Sequence, residues 1–213
     1  MAAAVKGERR TCHRVIEVAL SSGAEIIDIY EKVFYPVMVE VGALWQKNEI
    51  NVAQEHLITA ITQNIISAIY PRLLESLIIE RKGNALVACP GNELHELGAR
   101  MLSDLWEIEG WNVTYLGSNI PADFIVETIK NEDFQVLGLS CSLSFNLRFV
   151  KEAVEKVRAN NKFKGKIMVG GRIFNADPKL RDYVGADYHS HNYTSSLKVL
   201  NEEIAKKDDK SGV

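Results

Sequence analysis

The sequence predicts a two-part protein. An all-α N-terminal part, a bundle of the four-helix type, precedes an α/β part with a five-stranded parallel sheet and helices on both faces. Three observations predict it. Up to residue 82, apolar residues recur at the three-and-four spacing of buried helix faces. From residue 83 to 207, short apolar runs alternate with helical segments, the pattern of strands joined by right-handed crossovers. The charged, glycine-containing stretch "ERKGN", residues 80–84, divides the two patterns.

Each element follows from its residues. "TCHRVIEVALSS" (11–22) reads as a helix with Val15, Val18 and Ala19 as its apolar positions, and "SSG" stops it. "AEIIDIYEKVFYPVMVEVGALWQ" (24–46) continues the bundle and is interrupted at Pro36. In "NVAQEHLITAITQNIISAIYPRLLESLI" (51–78), Leu57, Ile58, Ile61, Ile65, Ile69 and Leu73 share one face, and Pro71 is expected to kink or divide the helix. Asn51 reads as its N-cap, with Gln54 completing a capping box. Beyond the boundary, "ALVACP", "NVTYLG", "VLGLSCS", "KIMVGG" and "ADYHS" read as strands. Between and after them, "ELGARMLSDLWEIEG", "PADFIVETIKNE", "LRFVKEAVEKVRAN", "PKLRDYVG" and "TSSLKVLNEEIAKK" read as helices. Such an alternation implies a flavodoxin/Rossmann-like domain, and residues 208–213 read as a polar tail.

Composition narrows the function. A chain 46% hydrophobic and 25% charged is an ordinary globular one, and its net charge of −3 offers no general attraction to nucleic acid or anionic lipid. "MAAAVKGERR" lacks the apolar run of a signal peptide, and no apolar stretch is long enough to span a bilayer. The cysteines Cys12, Cys89 and Cys141 are odd in number, far apart and without a CxxC pair, which suggests reduced thiols and a cytoplasmic protein. Five histidines are too few for a cluster of histidine ligands.

In a parallel α/β sheet, ligands bind beyond the carboxyl ends of the strands. The first strand is followed by "PGNELHELG", the third by "SCSLS" and the fourth by "GGRIF". Small residues at the third and fourth strand ends leave a slot, with His95 at its mouth. Taken singly, a histidine there could ligate a metal, move a proton or cap a helix, and a glycine pair could mark only a tight turn.

Together, Glu93-x-His95-x-x-Gly98, Ser140 and the pair Gly170–Gly171 resemble the signature of cobalamin-binding domains. The resemblance covers roughly residues 10 to 200. It implies that His95 is the lower axial cobalt ligand in place of the cofactor's own dimethylbenzimidazole. The displaced nucleotide tail would then lie in the slot, against Gly98, Ser140, Ser142, Leu143, Gly170 and Gly171, with Leu94 and Glu96 flanking the ligand. Two positions depart from the commonest pattern. Glu93 replaces aspartate, and can still accept from the ring nitrogen turned away from cobalt. Ser142 replaces a usual leucine.

The helical part carries a second pattern: Trp45, nine residues, then Glu55–His56. From the residues alone, Trp45 could be core, His56 half-buried, and Glu55 a favourable charge at a helix N-terminus. The triplet also resembles the helical cap of cobalamin-dependent photoreceptor regulators, where these residues enclose an adenosyl group above the corrin. That resemblance implies a light-responsive sensor of adenosylcobalamin, or of methylcobalamin, signalling through self-association or a partner protein. The regulators carry a DNA-binding domain before the bundle; nothing before residue 10 here could fold as one, so direct DNA binding is not expected. Alternatives are a corrinoid carrier for methyl transfer and a passive binding or storage module. An isomerase would need a separate substrate chamber. Gln46 stands where well-known photoreceptors have a histidine, which leaves His56 or water for the upper cobalt site. His13 lies early in the bundle, and His189 and His191 follow the fifth strand near the tail slot.

Overall fold

The computed structural model describes residues 1–75 and 81–211, with side chains described to residue 202. The chain divides into two compact units, Met1–Ser76 and Leu77–Val213.

The first unit is all helical. Helix α1 (Ala2–Val5) and α2 (Arg9–Ser21) precede α3 (Ile26–Ile29), a π-helical turn (Tyr30–Phe34) and α4 (Tyr35–Gln46). Pro36 explains the π turn: it has no N–H to return to the preceding turn, and the wider turn just before it absorbs the defect without ending the helix. Helix α5 (Val52–Glu75) runs undivided through Pro71. Its N-terminus is the expected capping box, with the Gln54 amide donating to Asn51 Oδ1 at 2.9 Å and the Asn51 amide to Gln54 Oε1 at 3.0 Å.

The α5 face is buried at Ile58, Ile61, Ile65, Ile69 and Leu73, while Leu57 is 40% exposed. On α2 the expected stripe is corrected: Ile16 is buried, whereas Val15 and Val18 are 58% and 59% exposed. Adjacent valines had masked the single isoleucine that turns inward.

The second unit is a parallel sheet of β1 (Gly83–Pro90), β2 (Trp111–Ile120), β3 (Val136–Ser140), β4 (Lys166–Gly170) and β5 (Tyr188–Ser190), in the order β2-β1-β3-β4-β5. Crossovers are α6 (Leu97–Ile108), α7 (Ala122–Asn131), a 3-10 turn (Ser144–Asn146) leading into α8 (Leu147–Ala159), and α10 (Leu180–Val184). The short helix α9 (Arg172–Ala176) was not legible in the sequence. Helix α11 (Tyr193–Ser211) extends into the segment read as a tail, whose last two residues lie outside the described ones.

Strand β1 is buried on both faces from Ala85 to Pro90, as befits a central parallel strand covered by helices. Val150, Ala153, Val154 and Val157 turn one face of α8 to the same core as Leu86, Leu137 and Ile125. Because β1 is flanked by β2 and β3, the connections diverge at its carboxyl end. That divergence opens the crevice in which such sheets bind ligands.

Candidate functional site

The crevice is built from two loops. The β1–α6 loop leaves the strand at Pro90 and carries Glu93, Leu94, His95 and Glu96. The β3–α8 loop leaves at Ser140 and carries Cys141, Ser142, Leu143 and the 3-10 turn. Glu93 is fully buried between them.

Its two carboxylate oxygens have separate duties. Oε1 accepts from the His95 amide at 2.9 Å and from His95 Nδ1 at 2.6 Å. Oε2 accepts from the Ser142 amide at 2.8 Å, the Leu143 amide at 3.4 Å and Asn146 Nδ2 at 3.2 Å. Burial alone would raise this carboxyl. Hydrogen bonds from the His95 ring, the Ser142 and His95 amides and Asn146 outweigh it and hold the group at about 2. Glu93 is therefore an ionised acceptor at neutral pH. An ionised acceptor at Nδ1 selects the tautomer with the proton on Nδ1 and the lone pair on Nε2. The His95 side chain is about half exposed.

The loops are braced from behind. The Asn119 amide, in a residue at φ +56°, donates to the Glu93 carbonyl at 3.0 Å. Tyr115 Oη donates to both the carbonyl and Oε2 of Glu96 at 3.3 Å. Burial, ahead of nearby carboxylates, pushes the thiols of Cys89 and Cys141 up to about 12, so both are inert neutral core groups; all three cysteines are free.

The small residues separate into two kinds. Gly98, in the first turn of α6, is exposed, and among the described residues a Cβ there would meet nothing within 4 Å. Gly170 pairs with Ser140 across β3 and β4, and a Cβ on it would meet the Ser190 carbonyl at 3.3 Å. Gly171 differs: its φ is +98°, and a Cβ would lie 2.4 Å from the Cys141 carbonyl oxygen. Its smallness is demanded by the protein's own backbone. Leu94 is exposed beside His95.

In the helical unit, Trp45 ends α4 and Glu55 and His56 open α5. Trp45 is 46% exposed, so it is not core. Glu55 Oε2 pairs with His56 Nδ1 at 2.5 Å, Glu55 Oε1 accepts from Thr59 Oγ1 at 2.8 Å, and the His56 ring is exposed. At the far end of the sheet, His189 Nε2 pairs with Asn175 Oδ1 at 2.9 Å, and Asn175 Nδ2 donates to the His191 carbonyl at 3.0 Å. Sequence reasoning missed Asn146 entirely. Its only signal was a polar residue just before an amphipathic helix, where a cap is the ordinary explanation.

Among the described residues, no three His, Cys, Asp or Glu side chains converge as a metal seat. No helix there is long and apolar enough to cross a membrane.

Comparison with known proteins places this geometry. Residues 83–196, more than half of the chain, match the model of the B12 binding domain, and residues 1–70 match a second model of the same description. The chain is 22% identical over 204 residues to the dimethylamine corrinoid protein of Methanosarcina barkeri, covering 95% of this chain and 94% of that one. To the HTH-type transcriptional repressor CarH of Myxococcus xanthus it is 26% identical over 129 residues, 61% of this chain and 42% of the repressor. The solved structure of the M. barkeri monomethylamine corrinoid protein shares the fold, with a TM-score of 0.82, 21% identity and 94% of each chain covered. With its helical unit, its parallel α/β unit and the Glu93–His95 pair at the switch point, the chain belongs to the B12-binding domain family.

Proposed function

We propose that this chain is a corrinoid carrier: it holds cobalamin through His95 and presents it to partner methyltransferases. The observation that carries this is the end-to-end likeness to corrinoid proteins of methylamine metabolism, helical unit included. The likeness to the repressor covers less than half of that protein.

The residues fit the group. Toward a cobalt ion carried in a corrin, the protein would need to supply one donor rather than a cluster. His95 would supply it, with Nδ1 held by Glu93 and the lone pair on Nε2. Open space over Gly98 supports a place for the nucleotide tail beside α6. When bound, the cobalt centre accepts and donates a methyl group. The protein's part is to orient His95, to keep Glu93 ionised and to hold the two loops at fixed separation.

A second reading, an adenosylcobalamin sensor, is favoured by one observation: Trp45 near the end of α4 and His56 in the first turn of α5, beside Glu55, are both exposed. The two separate by titration in the dark with hydroxo-, methyl- and adenosylcobalamin, then sizing after illumination. A carrier binds all three comparably and keeps its size in light. Selective binding of the adenosyl form with a light-dependent change of size would replace the carrier by the sensor.

A further inference from the structure

The geometry points to a seat for a divalent first-row transition-metal ion at the carboxyl end of β5, with His189 and His191 as its two protein ligands. It is independent of the cobalamin reading: β5 lies three strands from β1 in the sheet order, about 14 Å away at the ordinary strand spacing. Alternation along an extended chain turns residues two apart to one face. Ser190 turns inward, 7% exposed, and its hydroxyl donates to the Asn192 carbonyl at 2.8 Å. His189 and His191, on either side of it, therefore share the other face, half-buried and exposed respectively. Their ring centroids are 6.4 Å apart, with the planes at 85°. Two imidazoles on one ion, each bound at about 2.0–2.1 Å, stand a little closer than that. The exposed His191 ring closes the difference by turning about its side-chain bonds.

Asn175 prepares His189 for the task. Its Nδ2 donates to the His191 carbonyl at 3.0 Å, which fixes the orientation of the amide and turns Oδ1 to His189 Nε2 at 2.9 Å. An amide oxygen only accepts, so the proton sits on Nε2 and the lone pair on Nδ1. Donation from the ring nitrogen turned away from the ion is the usual support of a metal-bound histidine. Burial first, then the nearby His191 and Arg181, push the His189 pKa down, so the ring is neutral at neutral pH and no proton competes for the lone pair. Among the described residues, His189 Nδ1 and the two ring nitrogens of His191 have no hydrogen-bond partner. Arg181 is held by Asp182, through Nε at 3.0 Å and a terminal nitrogen at 2.6 Å, which offsets its charge. Imidazole suits zinc, nickel and copper. Two imidazoles on one strand end bind such an ion as a chelate, each raising the effective concentration of the other, with water completing the coordination.

The test titrates the tag-free full chain with Zn²⁺ and follows all five histidine rings by nitrogen NMR, with amide spectra reporting the fold. Expected is a joint response of His189 and His191 at the lowest zinc concentrations, with the His189 proton staying on Nε2. His13, His56 and His95 should respond only at higher concentrations. In His191→Ala, an exposed position, His189 should fall back to the range of those single histidines. In Asn175→Ala the midpoint should rise on the order of 10–100-fold with the sheet's amide spectrum unchanged. Responses of His189 and His191 no earlier than those of the other three would overturn the inference. So would a wild-type response of His189 in His191→Ala, because one ring would then be acting alone. The same titration of the cobalamin-loaded chain should leave the joint response in place. Its disappearance there would assign the pair to the cofactor and overturn the separate seat.

Discussion

Glu93→Gln keeps the volume of the side chain and removes its charge, which makes it the sharpest probe of the site's electrostatics. The folded protein holds this carboxyl at about 2, against an ordinary 4.5. That difference corresponds to about 3 kcal/mol of stabilisation at neutral pH. Because the folded value lies below the unfolded one, the contribution is complete above the unfolded value and is lost as pH falls toward the folded one. Glutamine cannot titrate and turns an NH₂ toward backbone amides, of His95 or of Ser142 and Leu143, that can only donate. Wild type should therefore exceed Glu93→Gln by about 3 kcal/mol at neutral pH. The gap should narrow as pH drops from 4.5 toward 2. Hydrogen exchange of the slowest amides in β1 and β3, measured on the cofactor-free protein across that range, isolates the α/β unit. A gap that stays constant with pH would refute the reasoning, since Glu93 would then not be a depressed, ionised acceptor.

Two other perturbations separate the parts of the site. Gly98→Leu adds a side chain where a Cβ meets nothing and a helix gains up to about 1 kcal/mol of propensity, so the cofactor-free protein should be at least as stable as wild type. It should weaken cobalamin more than tail-less cobinamide in parallel titrations, and equal losses would place the tail elsewhere. Trp45→Ala, in a carrier, should change hydroxocobalamin and adenosylcobalamin affinities alike. A selective loss for the adenosyl form on the order of 1–3 kcal/mol, or roughly ten- to hundredfold, would mark Trp45 as a roof over that group and favour the sensor.

The architecture was legible because local periodicity and burial agree. The strands at "ALVACP" and "VLGLSCS" are apolar on both faces, and both are buried on both faces in β1 and β3. Where two apolar residues compete for one inward position, periodicity misleads, as Val15 and Val18 show beside Ile16. Proline was read too strictly: a π turn before Pro36 and the continuous α5 at Pro71 both let the helix pass. At the site, Glu93 and His95 were legible from spacing because a two-residue separation brings both side chains to one loop. Asn146 was not, since its contact with Glu93 spans 53 positions and only the sheet's topology makes it. Gly171 was legible as small, but its close approach to the Cys141 backbone leaves no trace in sequence.

The central claim, that His95 is the protein's axial ligand to cobalt, is tested most directly by electron paramagnetic resonance. The chain is produced with nitrogen-15 histidine, loaded with unlabelled cobalamin and reduced to the cobalt(II) state. Coordination by His95 predicts superhyperfine doublets from the labelled ring, reverting to triplets when the histidine is unlabelled. Triplets that persist with labelled histidine would mean that the cofactor keeps its own dimethylbenzimidazole, and would contradict the account.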